Sequence, residues 1–136
     1  MARLYKNIRA YHLAYDLVLD VYKITEKFPK SEDHNITSQL RRAAVSIPLN
    51  IVEGSAKASK KDFLRYLNIA YGSAKEVEVL LELCFDLNYL EQSDYDFLSE
   101  NSDELNAKLF LFMRDVESKV TDRRTKFFKK FEEKVN

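Results

Sequence analysis

The chain is poor in everything that interrupts a helix: its 136 residues include two prolines and two glycines. One of each falls in a single stretch, AVSIPLNIVEGSAK at residues 43–56. Cysteine is scarcer still. The lone Cys84 excludes an internal disulfide, so packing alone has to hold the fold. No apolar run is long enough to span a bilayer, and MARLYKNIRA carries no signal-peptide pattern; together these point to a cytoplasmic protein with no membrane partner. An excess of one charge sign is also missing, with 22 basic and 22 acidic residues.

What the sequence does have is amphipathic material. A hydrophobic share of 46% beside 32% charged residues excludes a disordered composition. A chain of this length fits one domain, which buries roughly two thirds of its unfolded surface. Apolar residues recur at alternating spacings of three and four nearly throughout. The first segment carries two such stripes, Ile8, Tyr11, Tyr15, Val18, Tyr22 and Ala14, Leu17, Val21, Ile24, Phe28, and stops at Pro29. Asn35 is placed to cap a second helix with the stripe Ile36, Leu40, Ala43, Ile47, Ile51. Ser59 with Asp62 resembles a capping box before Phe63, Leu67, Ala70, Ala74, Val77, Leu81, Cys84. Ser93 is placed to cap the last helix, with Tyr95, Leu98, Leu105, Leu109, Phe112, Val116 and Val120. Nothing reads as a strand.

These signals predict helices at about 5–28, 35–57, 60–88 and 94–120. Short linkers make sequential helices antiparallel neighbours, so the expected fold is an all-α, up-down-up-down antiparallel four-helix bundle over residues 1–120. Residues 121–136 form a basic, Phe-rich C-terminal segment, with Phe127, Phe128, Phe131 and Val135 at helical spacing, that either extends the last helix or folds separately.

Within the second helix, Pro48 removes a backbone donor at a cost of about 3 kcal/mol or more, so a bend is expected there. Ser38, Arg42, Ser46, Asn50 and Glu53 trace a polar stripe, and Ala43, Ser46, Asn50 and Gly54 form a narrow face for close approach of another helix. The third helix has a matching group in Gly72, Ser73 and Glu76. Such locally inconsistent residues on neighbouring helices mark a functional or specially packed site. Asn50 and Glu53 are expected to bond groups on the third helix or on a neighbouring subunit.

The stretch FPKSEDHNITSQLRRAAVSIPLNIVEGSAKASKKDFLRYLNIAYGSAKEVE closely resembles the bacterial four-helix-bundle proteins encoded in intervening sequences of 23S ribosomal RNA genes, relatives of the accessory variability protein of diversity-generating retroelements. The matching positions are Phe28-Pro29, Gln39 with Arg42-Ala43, Ser46 through Gly54, Lys57 to Lys61, Phe63 to Ser73 and Glu76. A tryptophan common in that family's first helix is absent, with Tyr11 in its place, and the RRTKFFKKF tail lies outside the pattern. The resemblance implies a ring-forming homo-oligomer, a homopentamer foremost, proposed to bind nucleic acid, and implies no enzymatic activity.

The residues themselves suggest no enzyme, cofactor, metal or small-molecule substrate. Neither His12 nor His34 follows a glutamate by three residues, as a di-iron bundle requires. Glu53 and Glu76 fit bonding to Arg42, Ser46 or freed backbone groups better than acid/base work. The balanced charge is unevenly spread. Residues 76–104 hold ten acids and no Lys or Arg. The opposite pole of an antiparallel bundle would collect Arg3, Lys6 and Arg9, the corner with Lys57, Lys60, Lys61 and Arg65, and the tail with Arg123, Arg124, Lys126, Lys129 and Lys130. Three sequence-distant basic groups at one pole point to an anionic partner, RNA or DNA, held through phosphates. The alternative is a structural or protein-interaction oligomer, and a third reading puts the Phe-rich tail on a membrane surface.

Overall fold

The structure is a computed structural model that describes residues 4–120. A 3-10 turn at Tyr5–Asn7 leads into α1 (Arg9–Thr25), and a second at Lys30–Glu32 precedes α2 (Ile36–Ser55); α3 (Lys60–Asp86) and α4 (Gln92–Ser118) complete the chain. The helices pack in the cyclic order α1, α2, α3, α4, with α4 returning to α1, and no strand occurs among the described residues. This is the expected antiparallel four-helix bundle. The expected extension at 121–136 lies outside the described residues, as do Arg123, Arg124 and Arg3.

The stripes become the core. Leu17 and Val21 of α1, Leu40, Ile47 and Ile51 of α2, Leu67, Val77 and Cys84 of α3, and Leu105, Leu109 and Met113 of α4 are all buried. The other α1 stripe follows only in part: Ile8 is buried and Tyr11 and Val18 are half-buried against the core, whereas Tyr15 and Tyr22 stay exposed.

Helix ends show where local signals were read well or poorly. Ser59 caps α3 as expected, its Oγ accepting from the Asp62 N–H at 3.1 Å. Asn35 occupies the N-cap of α2 without capping it by its side chain. That work passes to Glu32, whose Oε2 accepts from the Ile36 N–H at 3.3 Å and from Asn35 Nδ2 at 3.1 Å. At α4 the N-cap is Glu91, not Ser93: extended backbone at Glu91 follows buried Leu90, so the helix begins two residues earlier than the serine predicts. Helix α1 ends at Thr25, short of Pro29, with the Thr25 hydroxyl donating to the Val21 carbonyl at 2.7 Å and accepting from Arg41 Nε at 2.8 Å. Helix α2 continues through Pro48 without interruption.

Two contact sets fix the poles. At one end Phe28 packs on Tyr89, 5.7 Å between ring centroids, and the Tyr89 hydroxyl reaches Glu32 at 3.4 Å, joining the α1–α2 and α3–α4 connections. At the other end Phe63 packs on Phe112 at 5.7 Å and Tyr5 on Tyr11 at 4.9 Å. The α2–α3 corner, the N-terminal turn and the last turns of α4 therefore share the second pole.

Candidate nucleic-acid interface

The second pole gathers cations from distant parts of the chain, as antiparallel packing requires. Lys60, Lys61 and Arg65 are exposed on the first turns of α3, Lys57 is half-buried just before them, and Lys6 and Lys119 are exposed nearby. The patch is not purely basic. Arg65 lies 3.7 Å from Asp62, and Lys119 lies 3.2 Å from Asp115. Both pairs are exposed, and such pairs contribute little to stability and yield readily to another anion. Arg9 leaves the group, because its guanidinium sits 3.6 Å from Glu104 halfway along α4. The acidic run occupies the last three turns of α3 and the first half of α4, on both sides of the turn between them.

Tyr66 is the residue at this corner that charge counting overlooked. Lys57 Nζ lies 5.0 Å and the Arg65 guanidinium 5.5 Å from its ring centroid. Its place three residues before Ile69 and directly after Arg65 was the available signal, but an isolated tyrosine on a polar face attracts no notice. A half-exposed ring flanked by cations offers a π-face next to phosphate-binding groups.

The second motif is assembled as a small polar relay. Asn50 Nδ2 donates to the Ser46 carbonyl at 2.8 Å and to Ser46 Oγ at 3.0 Å, and Ser46 Oγ meets Ser73 Oγ at 2.8 Å across the α2–α3 interface. Pro48 and Gly54 are buried, whereas Arg42, Glu53, Gly72 and Glu76 are exposed. Asn50 thus reaches α3 through Ser46, and Glu53 faces solvent in the single chain. Gly54 is where the backbones come close, since a Cβ there would lie 2.8 Å from Tyr66 Cβ and 2.9 Å from Phe63 Cδ1. Gly72 has open space around it.

Cys84 is fully buried, and burial together with the nearby Glu32 carboxylate pushes its thiol up to about 11, so it is not a nucleophile. Among the described residues no group of His, Cys, Asp and Glu is placed to hold a metal ion, and no helix is long and apolar enough to cross a membrane.

Residues 6–110 match the 23S rRNA-intervening sequence protein family, which covers the whole motif region and most of the bundle. The chain belongs to that family. No curated protein matches it. Among solved structures it is similar to a crystal structure of a protein with unknown function from the S23 ribosomal protein family of Bacteroides thetaiotaomicron. Identity is 26% and the TM-score 0.70, with 77% of this chain and 98% of that chain covered. The chain therefore shares its bundle with that neighbour and has residues beyond the matched part. Neither comparison indicates an enzyme family.

Proposed function

We propose that this protein is a non-enzymatic, cytoplasmic, ring-forming bundle that binds RNA or DNA electrostatically through the α2–α3 corner. One observation carries the reading: Lys57, Lys60, Lys61 and Arg65 meet Lys6 and Lys119 at one pole, with Tyr66 among them. Arg123 and Arg124 follow Val120 in sequence and add to the same reading. The family's description ties its members to ribosomal RNA genes, which agrees with a nucleic-acid role in the cytoplasm. Such contacts go to phosphates and carry little base specificity.

Anisotropy titrations of nucleic-acid-stripped protein with labelled single strands and duplexes test this. Log affinity falls linearly with log salt, with a slope of about 0.9 per neutralised phosphate on duplex DNA and about 0.7 on single strands. Lys60→Glu, Lys61→Glu and Arg65→Glu together weaken binding to all sequences alike and flatten the slope. These three side chains are exposed, so the melting temperature changes little. Binding that keeps its slope after the triple reversal removes the corner from the interface. No binding by the unaltered protein at low salt favours the second reading, a structural or protein-interaction oligomer, which the exposed Ile69, Val79 and Leu83 on the outer side of α3 support.

A further inference from the structure

The first pair of helices leaves an apolar groove uncovered. Tyr11, Tyr15 and Leu19 of α1 face Pro48, Leu49 and Val52 of α2 across a cavity of about 330 Å³. Leu49 is 60% exposed, Leu19 56% and Tyr15 50%, so the wall of this groove is wetted hydrocarbon and aromatic ring. Contiguous exposed apolar surface of this kind marks a binding site. The groove runs toward the pole where the described chain ends, beside the N-terminal turn that packs Tyr5 on Tyr11. Tyr11 and Tyr15 are on the first two turns of α1, and Pro48 and Val52 on the last two of α2. These turns lie level with the last turns of α4, which Phe112 ties to the same corner through Phe63.

We propose that the groove is covered by the chain's own C-terminal segment, residues 121–136. The segment supplies what the groove lacks. Phe127, Phe128, Phe131 and Val135 fall on one side of a helical wheel, and aromatic side chains bury about 150–250 Å² each. The seven steps from Val120 to Phe127 reach up to about 25 Å when extended. Neighbouring helix axes lie about 8–10 Å apart, so this reach passes α1 from the end of α4 and arrives at the groove.

Charge order agrees with a chain entering from that pole. In sequence Asp16 stands one turn from Leu19 and Glu53 one turn from Leu49, with Glu53 toward that pole; farther from it come Lys23 and Arg42. All four are exposed. The segment presents Lys126, Lys129 and Lys130 first and Glu132 and Glu133 afterwards, which sets these five against opposite charges, while Lys134 alone follows on the side of its like. The family match ends at residue 110, so residues 121–136 lie outside it.

The absence of tryptophan makes a direct test available, since Phe128→Trp places a single indole in the full-length protein. Its emission is expected to be blue-shifted and protected from acrylamide. Adding Leu49→Glu, or separately Leu19→Glu, shifts the emission to the red and removes the protection, while the helical circular dichroism stays unchanged because both leucines are exposed. Mixing the Phe128→Trp, Leu49→Glu protein with unaltered protein leaves the emission red-shifted when the segment folds back on its own chain. Recovery of blue emission in the mixture overturns that assignment in favour of the groove of a second copy. A water-exposed indole in the single variant, or protection that survives both groove substitutions, overturns the proposal.

Discussion

The two glycines show how much a single position depends on what stands opposite it. Gly54 allows α2 and α3 to close: an added Cβ would meet Tyr66 Cβ at 2.8 Å, Phe63 Cδ1 at 2.9 Å and the Phe63 carbonyl at 3.2 Å. Gly54→Ala therefore gains about 1 kcal/mol of helix propensity but incurs an overpacking cost of about 1–3 kcal/mol, since backbone and Cβ cannot swing aside. Gly72 meets nothing within 4 Å, so Gly72→Ala retains a gain of about 0.5–1 kcal/mol. Thermal melts of the two variants should move in opposite directions, down for Gly54→Ala and up for Gly72→Ala. A fall for both would mean that some surface absent from the single chain presses on Gly72. The sequence signalled both glycines as unusual but could not separate them, because the difference lies in residues brought near by folding. The same holds for Asn50 and Glu53: the polar stripe was legible, yet only packing shows that Asn50 works through Ser46 while Glu53 faces water.

At the level of elements, periodicity located all four helices because each buries one continuous stripe, and a stripe is a local property of the sequence. Ends were harder, since caps depend on one or two side chains that have several options. The turn after α3 is an instance. Asn88 takes a left-handed backbone with φ of 64°, the Tyr89 N–H bonds the Cys84 carbonyl at 2.9 Å and the Asn88 N–H bonds the Phe85 carbonyl at 3.0 Å. This is a Schellman ending with asparagine where glycine is commonest. It stops α3 and turns the chain so that Leu90 is buried and α4 starts at Gln92. Asparagine tolerates this conformation and a β-branched residue does not, at a cost of about 1–2 kcal/mol. Asn88→Val should lower the denaturation midpoint accordingly, and Asn88→Gly should match or exceed the unaltered protein. Urea titrations that rank valine level with glycine would show that the left-handed turn is not needed to join α3 to α4.

For the whole molecule, the fold was legible from pattern, and the poles followed from antiparallel order once the helices were placed. The uncovered surfaces were not legible, because the second stripe of α1 and the outer side of α3 resemble buried stripes until a bundle shows that one layer of partners is missing. Ile69, Val79 and Leu83 are each close to half exposed, and with Gly72 and Glu76 between them the five positions follow one another at spacings of three, four, three and four, so they form one line down the outside of α3. Water excluded from such a line stabilises by about 25 cal/mol per Å² of apolar surface. A ring needs two different complementary patches on every copy, and this line supplies one of them at a distance from the α1–α2 groove. We therefore expect light scattering coupled to size exclusion to give a mass that is a multiple of the 16.0 kDa chain, five-fold for the ring proposed above. Ile69→Asp with Val79→Asp should reduce that mass to a single chain while the helical circular dichroism is retained, since surface substitutions in an isolated bundle usually stay within about 0.5 kcal/mol. The melting temperature should fall as well and become independent of concentration, because assembly stabilises by mass action and the variant would have lost it. A single-chain mass for the unaltered protein across micromolar concentrations would sink the ring. An unchanged oligomer in the double variant would move the contact away from α3.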